Sequence, residues 1–457
     1  MSTPAEAGLS EQRTTQLLKA LQSEIDQQRL PGAVVLIARH GRIALYESLG
    51  MQNPESGQPM EKDSIFRIYS MTKPIVSVAV MMLMEQGKVL LSDPIAKHLP
   101  EFAAQHVAVQ VKGQLALRTP SRPATVQDLL RHTAGLTYEF MGAAPVNKQY
   151  AAANIGSRQR SNEEFSKALA GLPLIADPGS VWEYSRATDV LGRLVEVLSG
   201  QELDAFLQEH VLHPLGMHET WFSVPETHHV RIAEAFAHDP DGGVPMPLIN
   251  VRGDVALKSG GGGLVSTAMD YARFLQFMLN KGELDGVRLL GPRTVEFMTA
   301  DHLGQIPVNP QGAAQTLLPP GHGFGLGFAV RTALGMAAVP GSVGLYYWGG
   351  IAGTTFFVDP VEDMFAIMMI QAPNQRDYYR PLFRSLVYAA LMDEPEPEPE
   401  PESESESESE SESESESELA QVLEQEQAQE QEQEQEQEQE QEQEQTLTQQ
   451  QEGGVQP

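Results

Sequence analysis

Of the lysines in the chain, only Lys73 has a serine three residues before it, Ser70, in the run Tyr69-Ser70-Met71-Thr72-Lys73-Pro74. On a helix, positions i and i+3 share a face, so the hydroxyl and the amine come within hydrogen-bonding reach. Pro74 supports a helix starting here, because proline is tolerated in the first turn and disruptive deeper in. Lysine carries the wrong charge for that turn: the positive end of the helix dipole disfavours an ammonium by roughly 0.3–1 kcal/mol. The same field favours a neutral, proton-accepting amine and a negative oxygen on Ser70, which is how a serine is activated for nucleophilic catalysis without histidine. The competing reading is a helix cap followed by a solvated lysine, and Ser-x-x-Lys alone does not decide between the two.

Apolar periodicity supplies the elements that must hold this pair. A helix over 11–28, with Leu18, Leu21 and Ile25 on one face, leads through Pro31-Gly32 into strands at 33–39 and 42–47, joined by a His40-Gly41 hairpin turn. Three more strands are expected at 344–348, 354–359 and 364–370, the last two linked by Pro360-Val361-Glu362-Asp363. Five strands with short links predict an antiparallel sheet. An amphipathic helix with Pro381 in its first turn follows, offering Leu382, Phe383, Leu386 and Val387 to the sheet. The intervening residues read as mostly helical, with helices at 72–86, 125–131, 188–198 and 267–280. The fold class is therefore α/β of the α+β kind: a five-stranded antiparallel sheet flanked by helices, with an inserted, mostly helical domain. The sheet part covers about 1–65 and 285–392, and the helical part about 66–284.

Around the Ser-x-x-Lys run lie further segments in a characteristic order. They are Thr125-Val126-Gln127-Asp128-Leu129-Leu130-Arg131-His132-Thr133-Ala134-Gly135-Leu136, Pro178-Gly179-Ser180-Val181-Trp182-Glu183-Tyr184-Ser185, Pro214-Leu215-Gly216-Met217, the Gly260 to Gly263 run with Leu264-Val265-Ser266-Thr267, and Trp348-Gly349-Gly350. With these, the chain from about Pro31 to Met392 resembles the serine β-lactamase and penicillin-binding-protein superfamily, in its class C branch and most closely the family VIII carboxylesterases. The resemblance implies that Ser70 is the nucleophile, that Lys73 is its activating amine, and that Tyr184 relays protons, partly as a phenolate stabilised by the Lys73 cation. It also implies that the backbone N–H groups of Ser70 and Ile351 form the oxyanion hole. Trp348 would wall the pocket, and Gly349 and Gly350 would let an acyl group lie along their strand.

Two departures matter. Where the family usually has an asparagine two residues after the tyrosine, the chain has Arg186, which either pairs with an acid such as Asp189 or reaches substrate. Trp348-Gly349-Gly350 replaces the Lys-Thr-Gly that binds a carboxylate in β-lactamases, so small or short-chain neutral esters are the expected substrates. The resemblance thus implies a serine carboxylesterase working through an acyl-enzyme on Ser70. β-Lactam hydrolysis, D-amino-acid peptide cleavage (D-aminopeptidase or DD-peptidase activity) and acyl transfer are the alternatives within the class, and a non-catalytic scaffold is the alternative outside it.

Composition excludes other classes. The 457 residues contain no cysteine, which removes thiol nucleophiles and thiolate metal sites. The histidines show no ligand spacing, so neither a metal nor another cofactor is expected. The formal charge of -31 is concentrated in residues 393–457, which hold 25 acids and no Lys or Arg, against 37 acids and 31 bases in residues 1–392. No basic cluster is available for nucleic acid. No run of about 18 apolar residues suggests a membrane span, and the first residues lack the pattern of a secretory signal, so the expected compartment is the cytoplasm. The Pro-Glu, Ser-Glu and Gln-Glu repeats of 393–457 have no apolar area to bury and repel one another, so an acidic, disordered tail with unknown partners is expected there.

Overall fold

The computed structural model describes residues 2–112 and 114–392, so the expected disordered tail lies outside the described residues. Its centre is a single antiparallel sheet. The strands are β1 (Gly32–Arg39), β2 (Arg42–Asn53), β3 (Gln58–Pro59), β4 (His322–Phe324), β5 (Ala329–Arg331), β6 (Tyr346–Gly349), β7 (Gly353–Asp359) and β8 (Met364–Gln371), and they run in the order β4-β5-β6-β7-β8-β1-β2-β3. The sheet thus has eight strands where the sequence predicted five. All five predicted strands are present, and the three additional ones are two or three residues long, too short to leave a period-2 pattern. The β1–β2 hairpin turns at His40 and Gly41, both at positive φ (53° and 69°), the geometry of a two-residue hairpin loop.

Strand alternation sorts side chains between two cores. Val34, Leu36 and Ala38 of β1, with Phe365, Ile367 and Met369 of β8, join the larger core on the helical side. Ala33, Val35 and Ile37, with Met364, Ala366, Met368 and Ile370, face a second core shared with the first helix, α1 (Glu11–Asp26), and the last helix. Because both faces are covered, β1 and β8 are buried along their whole length and read as unbroken apolar runs. The last helix runs Arg376–Ala389, so it begins earlier than Pro381 suggested, and Pro381 lies inside it on the exposed side.

On the other face of the sheet sits α2 (Thr72–Glu85), with eleven of its fourteen residues buried. A helix wrapped by protein leaves Lys73, at its second position, without solvent. Around it lie α3 (Val126–Leu130), α4 (Ala187–Ser199) and α5 (Ala268–Leu279), all close to the predicted spans. The last helix is α6 in this order. Among the described residues no helix is long and apolar enough to cross a membrane.

The turn that leads toward the site is anchored by one carboxylate. Asp128 closes a capping box with Thr125 at the start of α3, accepts from Arg122 (2.5 and 3.0 Å) and Arg131 (3.1 Å), and takes the Thr133 hydroxyl at 2.7 Å. Burial pushes this carboxyl up, yet the Arg122, Thr125 and Thr133 hydrogen bonds outweigh it and hold the group down at about 2. The ordinary value is 3.8, so its stabilising contribution is complete above about pH 4 and fades as pH falls toward 2. Asp128→Asn is expected to destabilise the protein by about 2–3 kcal/mol at pH 7, less than a fully buried pair because the Arg122 side chain is 40% exposed. Urea unfolding of both proteins at pH 7 and pH 3 checks this, and the difference should shrink at the lower pH.

Candidate active site

Ser70 sits on a single 3-10 turn, Tyr69–Met71, immediately before α2. Tyr69 occupies the left-handed region at φ 42°, a strained conformation for a bulky residue, and its hydroxyl accepts from the Ile249 amide at 2.9 Å. The short pairing of Phe66–Arg67 with Val265–Ser266 fastens this turn to the glycine run at 260–263. That pairing, with the Leu264 amide donating to Thr72 Oγ1 (3.1 Å), brings Gly261 over Lys73.

The Lys73 amine is fully buried and has three polar neighbours: Ser70 Oγ at 3.2 Å, the Tyr138 hydroxyl at 2.9 Å and the Gly261 carbonyl at 2.6 Å. Burial is the main cause that pushes its pKa down from 10.5 to about 7; Asp189 opposes the shift and Arg186 adds to it. A neutral amine has two N–H donors and one lone pair. The Gly261 carbonyl can only accept, so it takes one donor, and the lone pair is left to accept from Ser70 or Tyr138.

Tyr184 is brought in by the loop before α4. The Glu183 amide donates to the His132 carbonyl (2.9 Å), and the Glu183 carboxylate accepts from Thr137 (2.6 Å) and Asn309 (2.8 Å), which ties the Tyr184 loop to the loop carrying Tyr138. The Tyr184 ring centre lies 4.6 Å from Lys73 Nζ, its hydroxyl accepts from Trp348 Nε1 at 3.1 Å, and it is hydrogen-bonded to Ser70. Burial pushes the Tyr184 phenol well above its ordinary range, and the Ser70 and Trp348 hydrogen bonds only partly offset this. The resemblance implies a Tyr184 that is partly phenolate, whereas its buried position favours the protonated phenol at rest. A charged pair without water is costlier than a neutral amine beside a neutral phenol.

Trp348, Gly349, Gly350 and Ile351 come from β6 and the turn after it. Trp348 does more than wall the pocket, since its indole N–H orients Tyr184. A Cβ on Gly350 would lie 2.4 Å from the Ile68 carbonyl, so only glycine lets this strand approach the Ser70 turn so closely. Neither the Ser70 nor the Ile351 amide is engaged by another described group, and both residues line the cavity.

Arg186 takes the ion-pair alternative. Its guanidinium bonds Glu139 (2.5 and 3.3 Å) and approaches Asp189 at 3.6 Å, although it also lines the cavity. Glu139 was not foreseen as a partner. Asp189 in turn accepts from Ser259 Oγ (2.5 Å) and the Gly261 amide (3.0 Å), which holds the carbonyl that receives the Lys73 proton donor. Tyr138 was also missed. It lies two residues beyond Leu136, where the recognisable segment ends, and nothing local distinguishes it from a core tyrosine. His132, at 1% exposure, packs its ring 4.9 Å from that of Tyr184 and has a structural place beneath it. The cavity over Ser70 measures about 970 Å³.

A family model described as "Beta-lactamase" matches residues 14–389. Protein Rv1367c of Mycobacterium tuberculosis is 34% identical over 362 residues, covering 76% of this chain and 87% of the relative. Esterase EstB of Burkholderia gladioli is 34% identical over 356 residues, covering 73% and 84%. The solved structure described as "EstCE1, a hydrolase with promiscuous acyltransferase activity" superposes with a TM-score of 0.71 at 29% identity, covering 82% of this chain and 98% of that one.

Proposed function

The chain belongs to the β-lactamase family, and from that premise we propose that it is a serine carboxylesterase acting on small-molecule esters through an acyl-enzyme on Ser70. The observation that carries this reading is the 3.2 Å approach of a fully buried amine to a serine hydroxyl. The esterase named among the relatives supports it.

In the resting site Lys73 gives up its proton near pH 7 and Tyr184 is protonated. Ser70 Oγ attacks the ester carbonyl while its proton passes to Lys73. The carbonyl oxygen becomes an alkoxide held by the Ser70 and Ile351 N–H groups, each worth about 3 kcal/mol in related chemistry. The proton then moves through the Lys73 and Tyr184 pair to the departing alkoxide oxygen, the ester C–O bond breaks, and the alcohol leaves an acyl group on Ser70. A water molecule repeats the sequence: it gives its proton to the same pair, attacks the acyl carbon, and the carboxylic acid departs as the proton returns to Ser70. One ester and one water give one acid and one alcohol. We assign this chemistry to residues 1–392, with Ser70, Lys73, Tyr184 and Arg186 drawn from the helical part and Trp348, Gly349, Gly350 and Ile351 from the sheet part.

Short-chain nitrophenyl esters are expected to be hydrolysed by the native chain at rates well above nitrocefin, because β6 offers no lysine or threonine to the carboxylate of a β-lactam. Steady-state rates with nitrophenyl butyrate and nitrocefin check this, together with mass mapping of a fluorophosphonate adduct to the Ser70 peptide. Nitrocefin turnover above ester turnover, or an adduct elsewhere, would remove the esterase assignment.

A further inference from the structure

Glu183 is a buried carboxylate that the reaction steps above leave unused. It precedes Tyr184 in the chain, is 2% exposed and forms no ion pair among the described residues. Burial pushes its carboxyl up from the ordinary 4.5, and the hydrogen bonds from Thr137 and Asn309 only partly offset this. A charge kept in such a place costs stability, so the groups that complete it show what it holds together.

Distant segments converge on it. Glu183 Oε1 accepts from the Thr137 hydroxyl at 2.6 Å, and Thr137 immediately precedes Tyr138. Oε2 accepts from Asn309 Nδ2 at 2.8 Å. The remaining capacity of each donor is taken elsewhere. Asn147, on the helix Pro145–Ala152, donates to Thr137 Oγ1 at 3.1 Å and to the Tyr138 carbonyl at 2.8 Å. The single Thr137 proton therefore goes to the carboxylate and not to that carbonyl, which lies farther off at 3.3 Å. Asn309 Oδ1 accepts from the Gln311 amide at 3.0 Å, which turns Nδ2 toward Glu183. Asn309 is also fixed to the residue before Glu183, by its amide on the Trp182 carbonyl (2.9 Å) and the Trp182 amide on the Pro307 carbonyl (2.8 Å). Thr137, Asn147 and Asn309 are all buried, so water does not compete for these bonds.

We propose that Glu183 is a positioning residue for the ester reaction: through Thr137 and Asn309 it clamps the loops of Tyr138 and Tyr184 together and so fixes both tyrosines against the Lys73 amine. The Tyr138 hydroxyl lies 2.9 Å from Lys73 Nζ and the Tyr184 ring centre 4.6 Å from it. What the clamp sets is the direction of the amine. With one N–H on the Gly261 carbonyl and the other on the Tyr138 hydroxyl, the neutral amine turns its lone pair to Ser70. Once Tyr138 moves away, the second N–H turns to Ser70 Oγ, and the proton that Ser70 must give up loses its acceptor. The proposal rests on the esterase reading of Ser70 and Lys73 and names the group that sets their geometry.

Glu183→Met removes both acceptors with little change in side-chain size. Its kcat per active site, with sites counted by fluorophosphonate labelling of Ser70 carried to completion, is expected to fall about 10–100-fold, while KM for nitrophenyl butyrate stays within about 3-fold of native. Glu183→Gln keeps one acceptor and is expected to retain part of the rate. Thr137→Val cuts the same bond from the other side and should reproduce the loss, Thr137→Ser should keep most of the rate, and Glu183→Met combined with Thr137→Val should be within about 3-fold of either alone. A role in stability only lowers the number of labelled sites and the unfolding midpoint and leaves kcat per site where it was; that result, or losses that multiply in the pair, overturns the proposal. If the native chain hydrolyses no ester, the esterase reading fails, and crystal structures of the native chain and Glu183→Met still decide the clamp. A Tyr138 hydroxyl at least about 1 Å farther from Lys73 Nζ in the variant supports it, and an unmoved hydroxyl overturns it.

Discussion

Ser70→Ala is expected to lower ester turnover by at least about 10⁴-fold while leaving the protein folded. The size follows from the absence of a substitute. Among the described residues lining the cavity, Ser259 already donates to Asp189 at 2.5 Å, and the Tyr184 phenol is pushed up by burial, so neither offers a ready nucleophile. The small structural cost follows from the same geometry. The hydroxyl contributes contacts to Lys73 and Tyr184, while the turn itself is fixed by backbone and by the Tyr69 bond to Ile249. Mass spectrometry after mixing with a slowly deacylating ester should find the acyl group on the Ser70 peptide of the native chain and none on the variant. Thermal unfolding should shift by no more than a few degrees. Turnover retained by Ser70→Ala would end the acyl-enzyme mechanism.

Lys73→Met carries the next largest expected loss, about 10²–10⁴-fold in kcat/KM, the range for removing a positioned base. Its signature is pH. In the native chain the base is competent once Lys73 sheds its proton, so kcat/KM should rise with unit slope and level off above about pH 7. Stability should respond in the same window. Lys73 is pushed down to about 7 in the folded protein against 10.5 in an ordinary setting, so between these values the unfolded chain binds more protons than the folded one. Native stability therefore rises with pH across the window, and the full penalty is present below pH 7. Methionine carries no such penalty but leaves the Gly261 carbonyl and the Tyr138 hydroxyl short of a partner, at about 1–3 kcal/mol each. The absolute difference in Tm thus mixes two effects, whereas its pH dependence isolates one. Tm of the variant minus Tm of the native chain should be most favourable to the variant below pH 7 and decline toward pH 10. A flat difference, with a rate inflection near pH 10, would mean that Lys73 is an ordinary ammonium and not the base.

Much of the fold was legible because its signals are local. The i and i+3 spacing of Ser70 and Lys73, the apolar alternation of β1 and β8, and the His40-Gly41 turn each depend on a few neighbouring residues. The short strands β3, β4 and β5 were not legible, since two or three residues pair only because a sheet edge is already there. Pro381 misplaced the start of α6: a proline on the exposed side of a packed helix is tolerated where burial of Tyr379, Phe383 and Val387 holds the rest. Arg186 was read with Asp189 in mind, yet its shortest bond is to Glu139, a partner on a different loop.

The amino-acid order by itself set the spacing of Ser70 and Lys73 and the strands that carry Trp348 and the glycines, while Tyr184 was singled out through the family resemblance. That spacing and those strands follow from turn chemistry and side-chain period, which act over a turn or two of chain. Only the tertiary structure decided the directions in which the Lys73 and Tyr184 pKa values move, because desolvation depends on everything packed around α2. It alone set Tyr138, Asp189 and Gly261 around the amine, because distant segments meet there only after the sheet and helices have closed. Charge in a buried site is a property of its surroundings, and no single stretch of the chain contains them.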